Sequence, residues 1–454
     1  MKTRIFLVEA IVVILCMIWV SGAICAVSPD EAAKLGTTLT GVGAEKAGNK
    51  EGTIPPYTGG LTTPPADYKP DSGVRPDPFA FEKPLFSINA QNMNQYADKL
   101  TDGTKALMKK VPTFRIDVYK THRTVAFPEY LLKNTAKCAV NATTYNGGLS
   151  IKGCRAGYPF PIPKNGYEVM WNHLLRYTGL ADELAFLNYI VDANGKLVLS
   201  ATGTYIEEFP FYDEDATRPD ANKVWKVVNY FTGPARRAGE IAYLIDDMNP
   251  YEIPRIAYQY LPGQRRIKLA PEFAFDTPFF GSGGANNFDE YFMFNGSMER
   301  FDMKLIGKKE LFVPYNCYKA MYCPEVEQLF GTKHWNPDLV RWELHRMWIV
   351  EATLKSGKRH MYQKRYIYID EDSWHAVTSE NYDAKGFLCK VNFAPQTPHY
   401  DRAVPYSLGS FYYNMVSNIY TGDYLTIAGG YVRQAKLRPQ RYWTPANIAA
   451  GGVR

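Results

Sequence analysis

The chain is poor in features that mark a local catalytic or nucleic-acid-binding motif. Its 454 residues hold seven histidines (122, 173, 334, 345, 360, 375 and 399), scattered and without a His-Glu-x-x-His spacing, which argues against a helical zinc-hydrolase motif. Gly-x-Ser-x-Gly is missing too; Phe280-Gly281-Ser282-Gly283-Gly284 comes nearest and reads as a flexible Gly/Asn loop. Neither charge sign dominates. The 52 basic and 46 acidic residues leave +6 with the signs interleaved, so there is no basic stripe for a phosphate backbone. Beyond the first residues, no run approaches the roughly 20 apolar residues of a membrane-spanning helix. Asp370-Glu371-Asp372 lacks the spaced oxygen ligands of a calcium loop and reads as a solvated hairpin turn. Neither a metal nor a cofactor is expected.

What is present first suggests a compartment. Lys2 and Arg4 precede an apolar run from Ala10 to Val20, and small residues at Ala23 and Cys25 follow. That order is the pattern of a cleavable secretory signal over 1–25, and secretion favours disulfides. Cys138 and Cys154 flank the Asn146-Gly147-Gly148 turn, and Cys317 and Cys323 stand six apart in a Pro-bounded loop; these are the two expected pairs. Cys389 sits in a strand-like apolar run and reads as a buried thiol.

Aromatics make up 14% of the chain, with 33 Tyr, and 35 Gly and 30 Pro accompany them; this composition favours short strands and many turns. Segment 26–87 is read as a short helix from Ser28 followed by a Pro/Gly-rich strap, and 88–454 as the main domain. Within it, helices are expected at Asn89–Leu100, after the Asn165/Glu168 cap, and at Ala238–Ile245. Strands are expected at Thr113–Tyr119, Leu184–Val191, Lys196–Ile206, Lys223–Phe231, Ile256–Tyr260, Arg265–Leu269, Tyr291–Phe294, Met298–Leu305, Trp342–Leu354, Met361–Ile369, Trp374–Thr378 and Gly386–Asn392. The fold class is therefore mainly β (α+β): a large curved antiparallel sheet or half-barrel, with a few helices covering its concave face.

In Trp342–Leu354 the even positions are mostly apolar, whereas Arg341, Glu343, His345 and Glu351 occupy odd ones. Only one face of that strand is expected to be greasy. Trp225, Tyr258, Tyr260, Trp342, Leu344, Trp348, Tyr366 and Tyr368 are the candidate lining of an apolar cavity, whose alternative is a filled core.

Several long strings carry a resemblance. AVSPDEAAKLGTTLTGVGAEKAGNKEGTIPPYTGGL (26–61), DPFAFEKPLFSINAQNMNQYADKLTDG (77–103), PFPIPKNGYEVMWNHLLRY (159–177), GKKELFVPYNCY (307–318) and RMWIVEATLKSGKRHMYQKRYIYIDEDSW (346–374) resemble the DUF1329 family. The resemblance implies a fold similar to the lipoprotein carriers of the Gram-negative periplasm. It also implies association with an inner-membrane exporter of the resistance-nodulation-division type and an outer-membrane protein, and it transfers no site residue. The leading expectation is a periplasmic, non-enzymatic carrier of a lipid or other hydrophobe; the alternative is an envelope adaptor with a packed core. For a hydrolase, no nucleophile, base and orienting group assemble from local spacing.

Overall fold

Turn chemistry sets the first hairpin of the main sheet. The Asp192 carboxylate accepts from the Asn194 and Lys196 amides at 2.8 and 2.9 Å, and Gly195 takes φ +86°, where a side chain would be strained. This turn joins β5 (Ala181–Val191) to β6 (Leu197–Glu208), in a register running from Ala181 opposite Glu208 to Val191 opposite Leu197. The computed structural model describes residues 27–215 and 217–451, so the expected signal segment lies outside the described residues.

The remaining strands are β1 (Phe86–Ile88), β2 (Ile116–Val118), β3 (Thr143–Tyr145), β4 (Ser150–Lys152), β7 (Lys223–Gly233), β8 (Ile241–Asp247), β9 (Ile256–Leu261), β10 (Arg266–Leu269), β11 (Phe301–Pro314), β12 (Arg341–Leu354), β13 (Lys364–Asp370), β14 (Ala376–Tyr382), β15 (Leu388–Phe393), β16 (Ser410–Asn414), β17 (Tyr420–Leu425) and β18 (Tyr431–Gln434). Sixteen of them form one sheet in the order β1-β2-β12-β13-β14-β15-β16-β17-β5-β6-β7-β8-β9-β10, with β11 also on β12 and β18 also on β5. Pairing is antiparallel except where β2 meets β12. The fold is mainly β with few helices. Those helices are α1 (Pro29–Ala32), α2 (Asp102–Lys110), α3 (Glu129–Asn141), α4 (Gly166–Leu174), α5 (Tyr318–Met321), α6 (Val326–Leu329) and α7 (Pro445–Gly451).

At α4, the Asn165 side chain accepts from the Glu168 amide at 3.0 Å, satisfying one of the open N–H groups of the first turn. The helix lies so close to β11 that a Cβ on Gly166 would stand 2.5 Å from the Met303 carbonyl oxygen. Three expected elements differ. Ala238–Ile245 is not a helix: most of it is β8, buried on both faces, so its apolar residues run on without alternation and mimic a helix. Tyr291–Phe294 is not a strand but lies mostly in a 3₁₀ segment, Phe288–Met293, capped by Asn287 and Glu290. Asn89–Leu100 is likewise a kinked 3₁₀ segment, Met93–Lys99. The strap lies on the body at discrete points: Tyr57 Oη donates to the Val125 carbonyl at 2.9 Å, Tyr68 Oη donates to Asp401 at 2.8 Å, and Phe79 stacks on His122.

Candidate functional site

The two ends of the strand order share one apolar cluster. Leu184, Phe186, Tyr205, Val227 and Leu244 from β5–β8 belong to the same buried set as Val350, Ala352, Ile367 and Ile369 from β12 and β13. The sheet therefore turns one face, here called inner, toward itself. The eight residues expected to line a cavity do not meet on it. Trp225 and Trp348 pack against this inner set. Tyr258 and Tyr260 belong to a cluster with Tyr243, Trp443 and Ile448 of α7. Trp342 and Leu344 join Trp335, Phe393 and Met108 of α2, and Tyr366 and Tyr368 pack with Met347, Ile349 and Val125. Strand alternation tells which residues share a face, but it does not tell what covers that face. The odd side of β12 is also not polar surface: Met347, Ile349 and His345 are all buried.

The inner face is filled by the chain itself, by Val169, Met170 and Trp171 of α4 and, most densely in aromatic rings, by segment 270–298. Phe273, Phe279, Phe288, Tyr291, Phe292 and Phe294 are all buried in the inner cluster. Phe273 stacks on Phe288 with centroids 4.4 Å apart, Phe279 meets Tyr291 edge-on at 5.0 Å, and Phe292 meets Trp225 edge-on at 5.7 Å. These are favourable aromatic geometries. The Gly281–Gly284 stretch, expected to be a flexible loop, is held down, since the Ser200 hydroxyl donates to the Gly281 carbonyl at 2.6 Å.

Buried ion pairs fasten this insertion. Asp289 accepts from Arg365 and pairs with His360, each at 2.8 Å; Glu290 accepts from Lys390 at 2.7 Å and from Tyr362 Oη at 2.6 Å. Burial opposes the charge on Asp289, but Arg365 and His360 outweigh it and hold its carboxyl below the usual range. Asp423 accepts from Tyr291 Oη at 2.9 Å and Asn286 at 2.8 Å, and burial pushes its pKa up to about 7. Glu207, which accepts from Tyr205 Oη and Trp225 Nε1, is likewise raised to about 7 by burial.

Beside the insertion runs a groove of about 540 Å³, lined by Ile190, Pro278, Gly283, Met361, Lys390 and Tyr412 among others. A second groove of about 320 Å³, between α2 and the β16–β17 hairpin, shares Asn414 and Ile419 with the first. Near Trp225 only about 30 Å³ is open.

The cysteines divide. Cys138 and Cys154 are bonded to each other. Cys317 and Cys323, expected as a pair, are two separate thiols at opposite ends of α5: one Sγ faces the Arg341 carbonyl and the other the Glu325 carbonyl, each at 3.2 Å. Cys389 is a half-buried free thiol. His375 Nδ1 stands 2.8 Å from Ser407 Oγ, but its Nε2 faces the Tyr177 carbonyl rather than a carboxylate, and burial pushes its pKa well below the usual value. That arrangement lacks the orienting acid of a nucleophile–base–acid triad. The acidic run 370–372, expected to be solvated, is buried because β12 and residues 45–57 cover it; it lies beside His345, a grouping that distance in sequence concealed. No helix among the described residues is long and apolar enough to cross a membrane.

Comparison with known proteins gives the family. An uncharacterized protein of Pseudomonas aeruginosa is 40% identical over 468 residues, covering the whole of both chains. A domain assigned to outer membrane lipoprotein sorting, from Vibrio parahaemolyticus, aligns with 63% of this chain and 98% of its own at 13% identity and a TM-score of 0.41. A DUF1329 family protein from Desulfovibrio piger covers 62% of this chain and 97% of its own, at 13% identity and a TM-score of 0.40. The model for "Protein of unknown function (DUF1329)" matches residues 87–449, and the chain belongs to that family.

Proposed function

We propose that the chain is a non-enzymatic carrier of the cell envelope, which takes an acyl chain or comparable hydrophobe onto the inner face of its sheet in exchange for the aromatic insertion 270–298. The observation that carries this reading is the conformation of the insertion. Phe275, Phe292 and Met293 sit at φ +58°, +55° and +69°, and bulky side chains in the left-handed region cost of order 1–3 kcal/mol each. Trp374 and Tyr424 of the buried inner cluster share this backbone region, but three such residues within one stretch, 275–293, gather strain that the segment releases when it leaves its seat. The 540 Å³ groove opens along the insertion's Pro278–Asn287 edge and offers the cargo a way in. A long acyl chain contributes about 0.8 kcal/mol per buried CH₂, so a dozen methylenes compete with the rings they replace. Secretion into the periplasm and transfer to an exporter or an outer-membrane protein belong to the same reading.

The test is extraction of the purified mature protein followed by mass spectrometry for bound lipid, together with uptake of a fluorescent fatty acid. Near-stoichiometric lipid or saturable uptake supports a carrier; an empty extract with no uptake sinks it. A second reading, an adaptor with a permanently filled interior, draws on the buried cations that Asp289 and Glu290 of the insertion each hold, Arg365 and Lys390. It expects one constant cross-linked envelope partner whose capture is indifferent to added lipid.

A further inference from the structure

Away from the insertion, a second layer of buried charge lies where β12 meets the β13–β14 turn. Asp370, Glu371 and Asp372 are 0, 2 and 3% exposed. Their neighbours supply cations unevenly. Glu343 accepts from Arg341 and lies 3.1 Å from His345 Nε2. Glu371 accepts from Lys308 at 2.8 Å and Arg346 at 3.2 Å; Asp372 accepts from Arg123 Nε at 2.9 Å and Nη2 at 2.6 Å. Asp370 has no such partner among the described residues. Its Oδ2 accepts from Tyr315 Oη at 3.0 Å and from the Ser373 amide and hydroxyl at 3.0 and 2.6 Å, while its buried Oδ1 has no hydrogen-bond partner among the described residues. One ligand atom from each of His345, Asp370 and Asp372 lies within 4.8 Å of the other two.

From this geometry we propose that His345, Asp370 and Asp372 form a binding site for a divalent transition-metal cation of the zinc type. An unpaired buried carboxylate is costly, and a cation at this point balances it and satisfies Oδ1. One imidazole nitrogen and two carboxylate oxygens are a donor set that zinc and manganese accept. The imidazole is already oriented: Tyr315 stacks on it with centroids 3.7 Å apart, and Nε2 faces Glu343. A carboxylate behind the ring is the usual device that fixes the tautomer of a metal-binding histidine. Asp372 keeps a second lone pair on each oxygen while it holds Arg123. Atoms 4.8 Å apart have a common centre roughly 2.8 Å away, so bond lengths of about 2.0–2.2 Å need a contraction of about 0.6–0.8 Å. Arg123 also reaches the Lys46 and Pro55 carbonyls at 3.4 and 3.5 Å, so the cation would clasp the covering segment to β12 and to the turn after β13.

The test uses the full mature chain, stripped with EDTA and titrated calorimetrically with Zn²⁺ and, in parallel, Mn²⁺. The expected result is one saturable equivalent per chain and a rise in Tm of about 3–5 °C at hundredfold excess over Kd. Asp370→Asn and His345→Gln should each weaken binding tenfold or more while keeping the wild-type circular dichroism. Absence of a saturable equivalent with either metal, or unchanged affinity in folded Asp370→Asn, overturns the site. Should the variants fail to fold, the cobalt-substituted wild type decides: paramagnetic shifts reaching the His345 ring sustain the proposal, and shifts confined to other histidines refute it.

Discussion

The insertion on the inner face and the polar layer behind β12 both bury neighbouring acids, and they balance them differently. Under the insertion every acid of the pair has a cation, Asp289 with Arg365 and Glu290 with Lys390. Behind β12, Arg123, Lys308, Arg346 and Arg341 serve Asp372, Glu371 and Glu343, and Asp370 is left to two hydroxyls and an amide. Removing one partner of a buried pair strands a charge, whereas an incomplete set gains when its missing member arrives. The first region is thus a closed fastening that opens only at a cost. The second is completed by a ligand. Electrostatics follow the same division: Asp289 is held below the ordinary carboxyl range, while burial and the neighbouring Asp372 push Asp370 above it.

The largest effect is expected at Arg365, which is fully buried and donates to Asp289, the Met293 carbonyl and Asn381. Arg365→Met should destabilise the chain by about 3–5 kcal/mol, because it leaves Asp289 buried with His360 alone. Urea unfolding measures this. A loss below 1 kcal/mol would mean that the fastening is not electrostatic. If the insertion is displaceable, the same variant should also take up more fluorescent fatty acid than wild type. Phe279→Ala comes next. Its ring meets Phe288, Tyr291 and Phe280 within the inner cluster, so truncation should cost about 3–4 kcal/mol and leave an apolar void. A small apolar probe such as xenon should then bind and recover part of the loss; a void that collapses would bind none.

A smaller effect is readable in pH. Asp423 is raised to about 7 in the folded chain, against about 3.9 in an unfolded one. The folded state therefore holds this proton more tightly; the stability it contributes is complete below about pH 4 and is lost as pH rises through about 7. Asp423→Asn should flatten that decline by about 1–3 kcal/mol. Glu207 titrates in the same window for the same reason, so the difference between wild-type and variant curves isolates Asp423. Asp289, lowered in the folded chain, acts with the opposite sign and loses its contribution as pH falls. A wild-type curve indistinguishable from that of the variant between pH 4 and 7 would remove Asp423 from the account.

Much of the sheet was legible because its signals are local. Asp192-Ala193-Asn194-Gly195 names its own turn, and Asn165 with Glu168 names a helix start. The strand β8 was not legible, because burial on both faces erases the alternation that distinguishes strand from helix. The candidate cavity failed for a related reason: Tyr258, Trp342 and Tyr366 show the period of strands, but each is covered by a different element. Aromatic density at 273–294 was the missed signal, since that many rings in one irregular stretch are more than a surface loop can leave in water. His345 and Asp370 stand 25 positions apart, and only the pairing of Met347 with Asp370 across β12 and β13 brings them together.

The smallest predicted effect lies on the strap, where attachment is by points rather than by a packed face. Asp401 takes Arg75 through Nε at 2.6 Å and Nη2 at 2.9 Å, and Tyr68 Oη at 2.8 Å. Tyr68→Phe removes one donor, but the carboxylate keeps its two-pronged partner, so no charge is stranded and the loss should be about 0.5–1.5 kcal/mol. The measurable consequence is local: limited proteolysis between residues 58 and 85 should quicken while the global unfolding midpoint moves little. Arg75→Met differs in kind. It strands Asp401 at the edge of the strap with a single hydroxyl and should release the segment outright. If both variants expose the strap equally, its hold depends on the Tyr68 ring, which packs edge-on against Tyr400 at 5.6 Å, and not on the paired charge.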